Sequence, residues 1–72
     1  MPANWPADVR LVGVLGSWEV FLAGGGVLRL AAHAYAQEQA DYVFVALAEG
    51  SPGHEIELAR IPITLVAKIR GG

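Results

Sequence analysis

The clearest hydrophobic pattern of the chain follows Gly16, where two sets of side chains alternate: Trp18, Val20 and Leu22 on one side, and Ser17, Glu19 and Phe21 on the other. A period of two residues is typical of a strand, because successive side chains point to opposite faces. The glycines at positions 24–26 provide the positive φ angles of a hairpin turn. The pattern therefore predicts that residues 18–23 pair antiparallel with residues 27–35.

Further strands are predicted on both sides of this hairpin. Residues 9–15 are an apolar run rich in valine and leucine, which is typical of a buried strand. Residues 55–59 alternate as Glu-Ile-Glu-Leu-Ala and predict a strand with a carboxylate-lined outer face. Residues 49–53 combine proline with two glycines, which indicates the turn before that strand.

The segment over residues 31–40 gives two conflicting signals. Its alanine, glutamine and glutamate residues favour a helix by intrinsic propensity. Its alternation places Leu28, Leu30, Ala32 and Ala34 on one strand face and Arg29, His33 and Tyr35 on the other. We follow the alternation and predict a strand, a polar turn over residues 37–40, and a second strand that begins at Tyr42.

Pro62 marks the start of the last element. Because proline is tolerated only at the start of a strand, in an edge strand or in the first turn of a helix, we predict one helical turn over residues 62–65 and a closing strand over residues 66–70. The alternative is a terminal helix with Ile61, Leu65 and Ile69 on one stripe. The whole chain, residues 1–72, is expected to be a single all-β domain: a small antiparallel β-meander or partly closed barrel of five or six short strands. Residues 1–8 are expected to form an irregular N-terminal arm.

The composition adds a further expectation, because it indicates that the chain associates with copies of itself or with another protein. Of the 72 residues, 54% are apolar, and there is no cysteine to form a disulfide. A chain this short has little interior in which to bury so many apolar side chains. We therefore expect a homo-oligomer, or a complex with a protein partner.

The charges argue against two other classes of partner. The formal net charge is -2, and the five cations are scattered along the chain, so no basic footprint for nucleic acid is present. The apolar runs are interrupted by charges and stay well below the ~18 residues of a membrane span. We predict a cytoplasmic protein that binds neither nucleic acid nor membrane.

Two sets of residues have the types needed for a site. His54, Glu55 and Glu57 are metal-ligand types, but a strand would send His54 to the face opposite the glutamates. Ser17, His33 and Asp41 are the types of a nucleophilic triad, but Gly16-Ser17-Trp18 lacks the G-x-S-x-G elbow. The sequence therefore assigns no catalytic, cofactor-binding or metal-binding residue. We predict that the protein is not an enzyme and uses no cofactor.

The residues singled out instead are candidates for an interface. Arg29, His33 and Tyr35 are predicted to share one strand face, and the tryptophans are more typical of anchors than of stacking platforms for bases, because no basic groove accompanies them. The predicted interface residues are Trp5, Trp18, Phe21, Arg29, His33 and Tyr35. The expected function is that of a small non-enzymatic binding or structural module that self-associates or docks on a protein partner.

Two resemblances accompany this expectation. The first rests on a succession of small and apolar residues: Gly26, Leu30, Ala32 and Tyr35, then Tyr42, Val43 and Phe44, then Ala59, Ile61 and Pro62, and lastly Val66 and Ile69. Through this succession the chain resembles small bacterial β-meander proteins of unassigned function. That resemblance covers most of the chain and implies strands but no chemistry.

The second resemblance concerns the four residues Ile69-Arg70-Gly71-Gly72. They are similar to the Gly-Gly terminus of ubiquitin-like modifiers and sulfur carriers, whose terminal carboxylate is activated by adenylation. This resemblance implies an alternative function in which the terminus at Gly71 and Gly72 is the site, Gly72 carries the chemistry and Arg70 presents the tail. It also implies a β-grasp fold in which residues 31–40 are a helix.

Overall fold

The computed structural model describes residues 10–50 and 54–72, which form six strands and one 3-10 turn. The strands are β1 (Gly16–Leu22), β2 (Val27–Ala32), β3 (Ala34–Glu38), β4 (Asp41–Ala48), β5 (His54–Pro62) and β6 (Val66–Gly71). The predicted all-β class is confirmed. The predicted arm over residues 1–8, with Trp5, and residues 51–53 of the predicted turn lie outside the described residues.

The strands form two three-stranded antiparallel sheets. The first sheet has the order β2-β1-β6, and the second has the order β3-β4-β5. Each strand pairs with the next along the chain within its sheet, but β6 returns to the first sheet and pairs with β1. Over the described residues the sheets do not close into a barrel, so the open meander is the form observed.

The hairpin of β1 and β2 forms as the alternation predicts. Its register runs from Gly16 opposite Ala32 to Phe21 opposite Val27. Gly25 and Gly26 have φ angles of 100° and 93° in the turn. Side chains rarely tolerate this region of backbone conformation, which explains why glycine occupies the turn.

Residues 31–40 are extended despite their helical propensity. β3 pairs with β4 along its whole length, from Ala34 opposite Val45 to Glu38 opposite Asp41. Pairing across the sheet therefore overrides the local preference of alanine for helix. The turn is shorter than the predicted residues 37–40, because only Gln39, with a φ of 54°, and Ala40 lie between the strands.

His33 interrupts the strand that was predicted over residues 27–35. β2 ends at Ala32 in the first sheet and β3 begins at Ala34 in the second, so the chain changes sheets at one residue. The backbone N–H of His33 donates to the carbonyl of Val45 at 2.9 Å, which fastens this corner to β4. A strand that switches sheets through a bend is a recognised way of joining two packed sheets.

The last third follows the predicted order with one local difference. The 3-10 turn at Ile63–Leu65 and the closing strand β6 are both present, and the alternative terminal helix is not formed by these residues. β5 contains a bulge, because Val45 lies opposite Glu57 whereas Phe44 lies opposite Ala59, which leaves Leu58 without a partner. The predicted alternation over residues 55–59 is therefore broken at Leu58.

The predicted buried strand over residues 9–15 is wrong for its described part, residues 10–15. Only Leu11 makes a bridge, to Ala48, and the side chain of Val14 is 93% exposed. Gly13 has a φ of 75°, and its N–H donates to the carbonyl of Leu11 at 3.0 Å, so the chain turns before a ladder can form. An apolar run predicts burial only where a partner strand is available.

The hydrophobic core lies between the inner faces of the two sheets. Its fully buried members come from both sheets: Val20 and Ala32 from the first, and Phe44 from the second; Ile61 is 9% exposed and completes the group. Half-buried apolar side chains surround them: Trp18, Leu22, Leu30, Tyr42, Leu58, Ala59, Val66 and Ile69. The core is small, so few contacts hold the sheets together.

We expect Gly71→Ala to destabilise the protein by about 1–3 kcal/mol, the cost of placing a side chain in a sparsely populated backbone region. Gly71 has a φ of 125°, and an added Cβ would collide with the carbonyl of Ser17 and approach the Cα of Trp18 to 3.0 Å. Gly24→Ala is the control, because a Cβ there meets nothing within 4 Å. Urea denaturation measures both, and equal stability of the two variants would contradict the prediction.

Candidate functional site

The outer face of the first sheet carries a row of three charged side chains. Arg29 and Arg70 lie opposite Glu19 from its two sides, on β2 and β6. Nε of Arg29 donates to Oε2 of Glu19 at 3.3 Å, and Nη2 of Arg70 donates to Oε1 at 2.7 Å. One carboxylate therefore bridges all three strands of the sheet.

These ion pairs fix the charge state of Glu19. The hydrogen bond from Arg70 lowers the pKa of the Glu19 carboxyl, and the bond from Arg29 lowers that pKa further. A lowered pKa means that the pairs are intact at neutral pH and are lost as the pH falls through that value. The side chains of Arg29 and Arg70 remain 78% and 65% exposed, so they are available to a partner.

Phe21 lies on the same face, one row along the sheet. Nζ of Lys68 is 4.9 Å from the centre of its ring, and Cζ of Arg70 is 5.4 Å from it. Both distances are within the range of a cation–π contact. We call the surface formed by Glu19, Phe21, Arg29, Lys68 and Arg70 the cationic face.

A groove of about 590 Å³ lies at one end of the cationic face, where Glu19, Arg29 and Arg70 line it together with Ser17 and Ala31. Two of the predicted interface residues, Phe21 and Arg29, are brought together on the cationic face. Lys68 and Arg70 were not predicted to join them. Because Lys68 and Arg70 flank Ile69, their spacing predicts that they lie on the same face of a strand. The sequence does not predict which strand they pair with, because β6 and β1 are about fifty residues apart along the chain.

An aromatic cluster lies between the inner faces of the two sheets, with Trp18 from the first sheet and Tyr35, Tyr42 and Phe44 from the second. The ring of Trp18 meets Tyr35 and Phe44 edge-on, with centroids 5.2 Å and 5.9 Å apart. Tyr35 also stacks on Phe44 at 5.2 Å and meets Tyr42 edge-on at 5.8 Å. These geometries are the preferred ones for aromatic pairs, so the cluster stabilises the contact between the sheets.

Trp18 is the member that ties the cluster to the backbone. Its Nε1 donates to the carbonyl of Ala32 at 3.0 Å, immediately before the corner at His33. Gly71 and Gly72 pack close to Trp18 and its neighbour Ser17 on β1. An added Cβ on Gly72 would lie 3.2 Å from the Trp18 ring, and the backbone N–H of Gly72 donates to the carbonyl of Ser17 at 3.1 Å. The two glycines therefore permit a close approach to β1, which is a packing reason for their presence.

His33 occupies the corner between the sheets. Its Nδ1 accepts a hydrogen bond from the backbone N–H of Leu47 at 2.8 Å. Its Nε2 is buried and has no hydrogen-bond partner among the described residues. An accepting Nδ1 places the proton of a neutral ring on Nε2. The ring therefore accepts the hydrogen bond from Leu47 that a backbone carbonyl of a neighbouring strand would otherwise accept, since β3 begins only at Ala34.

The prediction that Arg29, His33 and Tyr35 share one strand face is wrong. Arg29 lies on the cationic face, Tyr35 belongs to the aromatic cluster, and His33 bonds to β4 between them. The cause is the corner at His33, which ends the alternation of β2. The last predicted interface residue, Trp5, lies outside the described residues.

The outer face of the second sheet is acidic, and we call its charged residues, Glu38, Asp41, Glu55, Glu57 and Arg60, the acidic face. Nη2 of Arg60 donates to Glu57 at 2.8 Å, its Nη1 donates to Asp41 at 3.3 Å, and Glu38 is 3.5 Å from Nη2. The bond from Arg60 lowers the pKa of Glu57, and Glu57 in turn raises the pKa of Arg60. The alternation of Glu55 and Glu57 predicted this carboxylate face, but not the link from Arg60 to Asp41.

The residue types considered for a site do not converge. His33 is bonded to Leu47 and Asp41 is bonded to Arg60, so neither is directed to Ser17 as a triad requires. Over residues 10–50 and 54–72, no group of three or more histidine, aspartate or glutamate side chains is placed to hold a metal ion. In the same residues no helix is long and apolar enough to cross a membrane.

Comparison with known proteins gives no further guide to the function: no family model, no curated protein and no solved structure matches the chain. The resemblance to bacterial β-meander proteins and the predicted interface roles therefore stay predictions.

We expect Trp18→Ala to lower the free energy of unfolding by about 3–5 kcal/mol, as is typical when a packed tryptophan is truncated. The variant loses the ring contacts and the bond to Ala32 together. Trp18→Phe is the matched control, because it keeps a ring in the cluster and should lose only about 1 kcal/mol with the missing N–H donor. Urea denaturation followed by circular dichroism measures both. An alanine variant as stable as the parent would place Trp18 outside the core.

We expect His33→Leu to destabilise the protein by about 1–3 kcal/mol, because the backbone N–H of Leu47 would lose its acceptor. His33→Asn is the control, since its side-chain oxygen stands as far from the backbone as Nδ1 does. The asparagine variant should keep most of the stability in the same denaturation experiment. Equal losses for leucine and asparagine would show that the ring, and not the hydrogen bond, supports the corner.

Proposed function

We propose that this protein is a small non-enzymatic binding or structural module that self-associates or docks on a protein partner. The supporting observation is the number of large apolar side chains left in contact with solvent around a small core. Val27, Leu28 and Leu65 are 41%, 44% and 55% exposed, whereas the only large side chains fully buried among the described residues are Phe44 and Val20. Exposed apolar surface of this kind is typical of an interaction site.

The edge of the first sheet concentrates part of this surface. β2 is an outer strand in the order β2-β1-β6, and five of its six residues are exposed or half-buried, with Ala32 the buried one. An edge strand offers unpaired backbone N–H and C=O groups to another chain. Val27 and Leu28 add apolar contact area beside those groups, so this edge supports protein binding.

The charged groups support the same class of function. Each ion-pair network has one central residue, Glu19 on the cationic face and Arg60 on the acidic face. Each of these residues is held in its charged form by partners on its own face. Such networks present charge to a partner and have little capacity to accept or release protons at neutral pH. A binding role without chemistry, and without a cofactor, therefore fits the two faces.

The alternative of a β-grasp carrier activated at Gly72 has no observation in its favour. Residues 31–40 are extended where that fold has its helix, and Gly71 and Gly72 already have a packing role against Trp18. A cytoplasmic location, and a function that involves neither nucleic acid nor membrane, belong to the proposal and stay predictions from the sequence.

We expect the protein to be an oligomer at micromolar concentration, with a mass above the 7.6 kDa of one chain. Association would bury the exposed apolar side chains, and mass action would then raise the melting temperature with concentration. Sedimentation equilibrium and melting curves over a dilution series measure both effects. A mass of 7.6 kDa at every concentration, with a constant melting temperature, would contradict self-association.

A further inference from the structure

The two outer faces of the molecule carry opposite net charge. The cationic face has three cations and one carboxylate, a formal excess of two positive charges: Arg29, Lys68 and Arg70 against Glu19. The acidic face has four carboxylates and one cation, a formal excess of three negative charges: Glu38, Asp41, Glu55 and Glu57 against Arg60. The formal charge of the whole chain is only -2, although positive and negative charges are concentrated on different faces.

Within one molecule the excess charge of one face cannot be compensated by the other face. The inner faces of the two sheets meet in the core around Val20 and Phe44, so the cationic and acidic faces are turned away from each other. The ion pairs described above lie within each face and leave its excess charge uncompensated. Only a second molecule can bring the two kinds of face together.

Each face also has apolar side chains among its charges. On the cationic face, Phe21 is half-buried and lies opposite Val27, which is 41% exposed. On the acidic face, Val45 and Leu47 point outward from β4 and are half-buried. An apolar centre with charged groups around it is the usual composition of a protein interface.

We propose that the cationic face of one copy docks on the acidic face of a second copy, in a head-to-tail arrangement. This inference rests on the proposed function and names the partner as the chain itself. Complementary charge steers such an encounter and sets its orientation. The two surfaces in contact differ, so each pair keeps one free cationic face and one free acidic face, and the assembly grows into a ring or an open row.

The experiment uses Lys68→Glu and Glu55→Lys, one charge reversal on each face. Lys68 contacts the ring of Phe21 and takes part in none of the ion pairs of the described residues, and Glu55 is an exposed residue of β5, so neither change removes an ion pair found there. The controls are Arg10→Glu and Glu49→Lys, which make the same changes of charge at exposed positions outside both faces. Circular dichroism first establishes that all four variants are folded.

We expect each face variant to associate about tenfold more weakly than the parent in sedimentation velocity. The reason is a weaker attraction, because Lys68→Glu removes the excess charge of the cationic face and Glu55→Lys removes most of the excess charge of the acidic face. The two controls should associate as the parent does. Added salt should dissociate the parent as it screens the opposed charges.

Mixing the two face variants gives the sharper test. The Glu55→Lys protein keeps a native cationic face, and the Lys68→Glu protein keeps a native acidic face. An equimolar mixture should therefore form a one-to-one pair with the affinity of the parent, and growth should stop there because only altered faces remain free.

Three results would overturn the inference. If the face variants associate like the controls, or if the mixture shows no tighter complex than either variant alone, the faces are not the interface. If the parent associates but is indifferent to salt and to both reversals, pairing through the edge of β2 is favoured, and the proposed function stands without this inference. If the parent is a monomer throughout, self-association fails as well.

Discussion

The passage of the chain from one sheet to the other at Ala32 and His33 is the constraint on which the rest of the structure depends. Ala32 is fully buried, and its carbonyl accepts the indole N–H of Trp18, so the end of β2 is held against β1. One residue later, His33 is bonded to Val45 and Leu47 on β4. The two sheets are thereby joined by polar contacts at the point where their apolar contacts begin. The aromatic cluster lies directly beside this corner and completes the connection.

Much of the secondary structure could be predicted because its causes are local. The alternation of Trp18, Val20 and Leu22 with Ser17, Glu19 and Phe21, followed by glycines at positions 24–26, is sufficient to specify a hairpin. Pro62 in the same way predicts a single helical turn, which the chain forms over Ile63–Leu65. Even the alanine-rich residues 31–40 were predictable as strand, because their pattern with period two carries more information than their propensity.

The features that could not be predicted depend on contacts distant in the sequence. Residues 10–15 have the composition of a strand, but no neighbour accepts them beyond the bridge of Leu11 to Ala48. The unpaired Leu58 shifts the register of β5, and no glycine in the strand indicates this bulge in the sequence. The corner at His33 separates Arg29 from Tyr35, so residues that were predicted to share one strand face lie in different sheets, Arg29 on an outer face and Tyr35 in the aromatic cluster. The cationic face likewise emerges only when β6 is placed beside β1, and the link from Arg60 to Asp41 on the acidic face only when β5 is placed beside β4.

The return of β6 to the first sheet has a consequence for the way the chain acquires its structure. β1 is the central strand of that sheet, yet the neighbour on one of its sides is β6, which follows all the other described strands along the chain. Until residues 66–71 have left the ribosome, one edge of β1 has no partner, and the glycines that pack on Trp18 are missing from the inner face. Long-range pairing of this kind slows folding and lengthens the time during which an apolar edge is exposed. The second sheet, in contrast, consists of consecutive hairpins and can form while translation continues.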